Sequence, residues 1–206
     1  MDSAKYCSSS TGSEGRDAGF SLIEVLVAVA LLMVVSLGVA QLFAVATKAN
    51  YTSKGQTSTA LLAVQRMEQL KSLAWGFDLD SSALGLPISD IATDLSGAEP
   101  SGGGNGLNPS PANALTQNVT GYVDYLDADG AWVGTGGTPP AGASYIRRWA
   151  ITPLPTNPNN TLVFQVRVMT VRHAEEVAAA SAAGVQPPAR FGEDTWLASV
   201  KTRKSQ

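Results

Sequence analysis

The chain has 206 residues, a formal net charge of −3 and 15% charged side chains, together with 20 glycines and 11 prolines. This charge excludes a strong basic field, so the composition does not favour a protein that binds nucleic acid or anionic lipid through bulk charge. The length fits one folded domain, and the glycine and proline content favours a loop-rich exported head over a charged cytosolic enzyme.

An apolar segment near the N-terminus dominates the chain. Residues 25–47 carry no charged side chain. At about 1.5 Å rise per residue, a helix of this length crosses the hydrocarbon core of a bilayer. One carboxylate, Glu24, directly precedes the segment. Because a charge in an inserted helix costs about 2.5–3.5 kcal/mol at the centre and less near an end, Glu24 is expected to have a task and a partner.

The residues that open this segment form a motif. Residues 19–24 read Gly-Phe-Ser-Leu-Ile-Glu, and the apolar run follows them directly. This arrangement resembles the processing and assembly signal of type IV pilins and pseudopilins. The resemblance implies that prepilin peptidase cuts between Gly19 and Phe20 and removes residues 1–19 as a leader. It also implies that the new Phe20 amine is N-methylated and that Glu24 is the assembly glutamate, paired with the amine of a neighbouring subunit.

Two features depart from the common pilin pattern. Typical leaders are basic, whereas this one is net acidic, with the charged residues Asp2, Lys5, Glu14, Arg16 and Asp17. Many major pilins also have a proline about twenty residues into the mature helix, and this chain has none there. The missing proline favours a minor subunit. The only cysteine, Cys7, lies in the leader, so the mature protein would have no disulfide and no thiol chemistry.

The same apolar segment admits two other interpretations. Arg16 before it and the small residues around Ala46 after it would suit an ordinary secretory signal, although such signals usually have an apolar region of about 7–15 residues. Cleavage near Ala46 would give a secreted or anchored binding protein or enzyme. The segment could also remain as a simple uncleaved anchor. The N-terminal residue of the mature chain separates these cases: Phe20 for the pilin, about Thr47 for secretion, and Met1 for the anchor.

The helix is predicted to extend beyond the apolar segment. We assign residues 20–47 to a transmembrane and assembly helix and residues 48–75 to its amphipathic continuation. Apolar side chains recur there at helical spacing, at Ala60, Ala63, Val64, Met67, Leu70, Leu73 and Ala74. Polar side chains are largely placed between them, at Gln65, Arg66, Glu68, Gln69 and Lys71. Residues 50–59 are rich in weaker helix formers, which allows a bend or a melted turn.

The rest of the chain is predicted to form a loop and a sheet. Residues 76–118 contain a Gly/Pro-rich loop, and residues 119–206 form the head. Alternating apolar residues predict strands at residues 119–126, 131–133, 144–152, 161–172 and 195–202. An alanine-rich excursion, residues 174–194, interrupts them. The predicted fold class is α+β and pilin-like, with one long helix packed on an antiparallel sheet of about four strands. The sequence Tyr-Ile-Arg-Arg-Trp at residues 145–149 and the hairpin before it further resemble PilV-type minor pilins.

Three carboxylates, Asp124, Asp127 and Asp129, precede Gly130. Carboxylate oxygens could hold Ca²⁺, but the ligand array of an EF-hand is missing and Asp-Gly is the preferred pair in a hairpin turn. A turn is therefore the favoured interpretation, with calcium as the alternative.

Other polar residues offer little chemistry. Arg147 and Arg148 should point to opposite faces of a strand and pair with carboxylates or aromatic rings, with a contact to DNA or to a surface ligand as the alternative. His173, the only histidine, has no nucleophile motif near it and is expected to be solvated at a strand end. The glycines at 102–106 lack the lysine of a phosphate-binding loop.

No catalytic or cofactor site is predicted. The sequence predicts a minor pilin of the bacterial inner membrane, with one membrane pass and a periplasmic head that later enters a pilus. A minor pseudopilin of a type II secretion system is the alternative. The implied partners are other pilins, prepilin peptidase, the inner-membrane assembly platform and the lipid bilayer.

Overall fold

The computed structural model describes residues 19–76, 89–186 and 194–203. The chain divides into two compact units, Met1–Thr47 and Lys48–Gln206. Helix α1, Leu22–Ser72, contributes to both units. The predicted leader, residues 1–19, lies outside the described residues except for Gly19.

Helix α1 begins within two residues of the predicted start. The carbonyl of Ser21 accepts hydrogen bonds from the amides of Glu24 at 3.0 Å and Val25 at 3.2 Å. The helix is unbroken through residues 50–59, so the melted turn that the sequence allowed does not form. The hydroxyls of Thr52 and Thr57 each donate to the carbonyl four residues earlier, at 3.0 Å. These bonds satisfy the threonines within the helix.

The first unit presents its side chains to the surroundings. Every described residue from 19 to 47 is exposed. By length and composition, α1 is the one helix among the described residues that could cross a membrane.

The second unit, Lys48–Gln206, is called the head below, and it contains a five-stranded antiparallel sheet. The strands in chain order are β1 Thr93–Asp94, β2 Ser101–Gly102, β3 Val123–Leu126, β4 Trp132–Gly134, β5 Tyr145–Pro153, β6 Thr161–Thr170 and β7 Asp194–Thr202. The main sheet has the order β4-β3-β5-β6-β7, while β1 and β2 form a separate ribbon. The α+β, pilin-like arrangement of one long helix and an antiparallel sheet is confirmed, although the sheet has five strands where about four were expected.

The sheet separates two apolar clusters. The larger cluster joins the helix to one face of the sheet, through Ala63, Met67, Leu70, Trp149, Ile151, Phe164 and Val166. The smaller cluster lies on the other face, through Val123, Tyr125, Ile146, Met169 and Ala174. The alternation along each strand therefore produces two buried faces, and the second is covered by a short helix.

That short helix, α2, corrects two predictions. The sequence predicted a strand over residues 161–172 and a solvated His173 at its end. Instead β6 ends at Thr170, whose hydroxyl accepts a hydrogen bond from the His173 amide at 3.3 Å and caps α2, Val171–Ala182. His173 is only 5% exposed, and its Nδ1 lies 3.7 Å from a carboxylate oxygen of Glu176. The threonine cap and the alanine-rich sequence explain why a helix forms here.

The glycine-rich stretch of the loop has a structural explanation. A Cβ on Gly104 would lie 2.2 Å from the Cα of Asp94. Gly106 has a φ of +46°, and a Cβ there would lie 2.3 Å from the carbonyl oxygen of Asp90. These close approaches require glycine, because any side chain would collide with the backbone of residues 90–94.

Candidate functional site

The first turns of α1 place one carboxylate on an apolar surface. Phe20, Glu24, Ala28 and Leu32 follow one another at four-residue spacing and line a shallow groove along one face of the helix. Phe20 is 83% exposed, and Glu24 is also exposed. Within the described residues, Glu24 forms no ion pair. The groove can therefore accept a cation against the carboxylate and apolar groups beside it.

The position of Glu24 favours a negative charge. It lies in the first turn of α1, where the unpaired backbone amides give the helix a partial positive charge. This effect contributes about 0.3–1 kcal/mol at an exposed site. It reduces the penalty of the carboxylate in an apolar setting, but a full cation is needed to neutralise it. The predicted cut site, Gly19 and Phe20, is exposed, as is the carboxylate of Glu24.

A buried ion cluster lies between the helix and the sheet. We define the arginine–aspartate cluster as Arg66 of α1, Asp124 of β3 and Arg147 of β5. The guanidinium of Arg147 donates to both Asp124 oxygens, at 2.9 Å from Nε and 2.6 Å from Nη2. Arg66 donates to the same carboxylate from the helix side. Asp124 is fully buried, and both arginines are at least 96% buried.

The cluster also connects the loop and the aromatic core. Arg66 donates to the carbonyl of Leu95 in the loop, and its guanidinium carbon lies 4.4 Å from the ring centroid of Trp149. Burial lowers the pKa of Arg66 to about 10, because loss of hydration outweighs the attraction of Asp124. Arg66 therefore stays charged at neutral pH. One ion cluster thus connects the helix, the sheet and the loop.

The cluster occupies Asp124, one of the three carboxylates that were considered as calcium ligands. Asp124 is paired with two arginines, and Asp127 accepts hydrogen bonds from the amides of Asp129 and Ala131, both at 2.9 Å. Gly130 completes the turn with a φ of +84°. Within residues 19–76, 89–186 and 194–203, no group of three or more histidine, cysteine or acidic residues could hold a metal ion. The aspartates form a hairpin turn and an ion cluster instead.

Arg147 and Arg148 lie on opposite faces of β5, as the alternation predicted. Arg147 pairs with a carboxylate, which was also expected. Arg148 instead donates to the side-chain oxygen of Asn118 at 2.7 and 3.0 Å and to the carbonyl of Thr116 at 3.1 Å. Burial lowers the pKa of Arg148 to about 10. Since the two arginines are only 3% and 6% exposed, neither forms a surface for phosphate groups.

The buried role of Arg66 was not predicted. In the sequence this arginine is one of the polar residues between the apolar positions, whereas in the structure it is 1% exposed. Arg66 lies three residues after Ala63 and four before Leu70, which puts it on the buried face of the helix. That spacing was visible in the sequence, but the carboxylate that neutralises it lies far along the chain.

One comparison with known proteins adds to this geometry. A family model described as the prokaryotic N-terminal methylation motif matches residues 15–40. The matched residues include Gly19, Phe20 and Glu24. The match supports the class of type IV pilins and pseudopilins. A motif of this class suggests a structural subunit. No curated protein and no solved structure matches the chain.

Proposed function

We propose that this chain is a minor pilin, a structural subunit that acts in the assembly or initiation of a type IV pilus. The observation that supports this proposal most directly is the methylation motif at the start of an exposed apolar segment, residues 20–47, in which Glu24 is the one carboxylate. A compact head, Lys48–Gln206, follows that segment. An anchor that also serves as a packing surface and a separately folded head are what a filament subunit needs.

Processing would expose the group that Glu24 requires. In this proposal, prepilin peptidase cuts between Gly19 and Phe20, and the amine of Phe20 is then methylated. Residues 20–47 store the subunit in the inner membrane with its head in the periplasm. The assembly platform extracts it, and its apolar helix packs against the helices of other pilins.

Glu24 would then direct assembly by charge pairing. In the filament its carboxylate meets the methylated Phe20 amine of an adjoining subunit. Each charge would be strongly unfavourable alone in a dry helix bundle, because an unpaired buried charge costs about 3–5 kcal/mol relative to the intact pair. Pairing therefore favours the arrangement of neighbouring subunits in which Glu24 of one contacts the Phe20 amine of the other.

Minor stoichiometry is supported by the absence of a proline about twenty residues into the mature helix. The Tyr-Ile-Arg-Arg-Trp stretch at residues 145–149 supports a PilV-type head. A minor pseudopilin of a type II secretion system has the same anchor and the same processing, so it remains the alternative.

The mature N-terminus tests this proposal. The chain should be produced in a bacterium with prepilin peptidase and in a strain that lacks it, and its intact mass should be measured after membrane extraction. The proposal predicts a chain that begins at methylated Phe20 in the first strain and at Met1 in the second. A chain that begins near Thr47 in both strains would identify a secretory signal instead.

A second measurement separates the two kinds of filament. Deletion of a minor pilin should reduce surface pili and leave protein secretion intact. The opposite pattern, lost secretion with normal pili, would identify the pseudopilin.

A further inference from the structure

A groove in the head has no role in the proposed filament mechanism. It has a volume of about 560 Å³ and lies where α1, the β3–β4 turn, the start of β5 and the start of α2 meet. Its walls include two tyrosines, Tyr51 and Tyr145, and two opposite charges, Arg172 and Glu175. The groove thus combines aromatic surface with a cation and an anion.

Chain length places this groove near the membrane surface. Tyr51 follows Thr47, the last residue of the uncharged segment, by only four residues. At no more than about 3.6 Å per residue, Tyr51 lies within about 14 Å of that residue in any conformation. When the segment is inserted, this wall of the groove is therefore held within reach of the lipid headgroups. Tyrosine is enriched at this depth because its ring is apolar and its hydroxyl is polar.

The charges in the groove match a zwitterionic ligand. Arg172 is 76% exposed on its side chain, and Glu175 is also exposed. The ion pair of Arg172 with Glu176, at 3.9 Å, is exposed and weak, so a ligand can replace it. A guanidinium prefers phosphate, and a carboxylate attracts an ammonium group. A ligand with a phosphate and an ammonium can use both.

We propose that the groove binds the phosphoethanolamine headgroup of a membrane phospholipid. Arg172 holds the phosphate, Glu175 holds the ammonium, and the rings of Tyr51 and Tyr145 contact the glycerol backbone. The bound lipid holds the head against the bilayer before extraction. This inference rests on the membrane insertion of residues 20–47 in the proposed function.

The test titrates the full-length chain in an uncharged, phosphate-free detergent with glycerophosphoethanolamine, the soluble headgroup. Binding is followed by the NMR shifts of the Ser144 and Tyr145 amides, which line the groove. Arg172→Gln and Glu175→Gln should each weaken binding roughly tenfold. Lys71→Gln and Glu68→Gln make the same charge changes on exposed residues outside this groove and should leave binding unchanged.

Further arms identify the source of the phosphate. Inorganic phosphate and free ethanolamine should each bind far more weakly than the joined headgroup. In nanodiscs, the shift should occur with phosphatidylethanolamine and not with phosphatidylglycerol.

The proposal is overturned by an absence of saturable binding, by equal effects of the control variants, or by equally tight binding of inorganic phosphate. Equal shifts in both lipids would also overturn it. Carbonate extraction measures membrane insertion separately. A wild-type chain that does not insert would refute the membrane anchor, whereas an inserted chain without headgroup binding would refute only the groove.

Discussion

The guanidinium of Arg66 and the carboxylate of Asp124 form an ion pair in which neither side chain is more than 1% exposed. The two residues come from the helix and from the sheet, and Arg147 supplies a second guanidinium to the same carboxylate. Removing the carboxylate would leave two buried cations without their counterion. We therefore expect the carboxylate to stabilise the packing of the helix on the sheet.

Asp124→Asn tests this role. The variant keeps the shape of the side chain but removes its charge, so the free energy of unfolding should fall by about 3–5 kcal/mol. Urea unfolding, followed by tryptophan fluorescence, measures the change.

An exposed ion pair provides the matched control. Lys71 and Glu68 lie 2.9 Å apart, with side chains that are 44% and 63% exposed. Glu68→Gln should change the free energy of unfolding by less than about 1 kcal/mol. A loss below 1 kcal/mol for Asp124→Asn would show that the buried cluster does not hold the head together.

Local patterns in the sequence were enough to predict most elements of the fold. The helix was predicted at residues 20–75 and lies at Leu22–Ser72. Strand β5 was predicted at residues 144–152 and lies at Tyr145–Pro153. Hydrophobic periodicity predicted both, because the second part of the helix buries an apolar stripe against the sheet and alternate residues of β5 pack against that stripe. The Asp-Gly turn was equally local and formed as expected.

The interactions that connect distant segments could not be predicted in the same way. Asp124 lies 58 positions after Arg66, and no local pattern links them. His173 was misplaced for a related reason, since the burial of α2 depends on the far face of the sheet. The roles of Gly19, Phe20 and Glu24 were inferred from the resemblance to pilins and remain predictions.

Tyr122→Phe should weaken the contact between sheet and loop. The Tyr122 hydroxyl lies 3.1 Å from the carbonyl oxygen of Asn108 and 3.2 Å from that of Pro109. Loss of this hydrogen bond should lower the free energy of unfolding by about 0.5–1.5 kcal/mol at neutral pH. Urea unfolding measures this change.

Alkaline pH provides a second measurement on the same variant. Burial raises the pKa of Tyr122 and Tyr125 above the usual value of 10. Above pH 10 the unfolded chain therefore binds fewer protons than the folded chain, and stability falls as pH rises through the folded pKa. Tyr122→Phe should show a shallower fall over this range. If the free energy of unfolding of Tyr122→Phe falls with pH as steeply as that of the wild type, the pKa of Tyr122 is not raised by burial.

The head should fold without the membrane segment. A truncated chain of residues 49–206 keeps almost all of the compact unit Lys48–Gln206, including the buried positions Ala63, Met67 and Leu70. It should be soluble and monomeric, and reductant should not change its unfolding curve because Cys7 is absent. Aggregation, or a fold that forms only when residues 20–46 are present, would contradict this division.

Gly19→Val should block removal of the leader. Among the described residues, no atom beyond the adjoining ones lies within 4 Å of a Cβ placed on Gly19, so the substitution meets no steric conflict there. A processing defect would therefore arise at the peptidase, which approaches the backbone at this residue in the proposed mechanism. Intact mass should show a chain that still begins at Met1.

Gly38→Ala is the control for the glycine substitution. This position is also open and lies in the helix. The variant should be processed like the wild type, with the helix slightly stabilised. Normal cleavage of Gly19→Val would refute the cut site.

The most direct test of the central claim is the amount of the Glu24→Ala variant in sheared filaments, measured by immunodetection and compared with the amount in the inner membrane. Removing the carboxylate makes insertion no harder, so the variant should be processed and should accumulate in the membrane. It no longer offers a partner to the Phe20 amine of a neighbour, and we predict that it is depleted from the filament fraction. Undiminished incorporation of Glu24→Ala would contradict the charge-pairing mechanism.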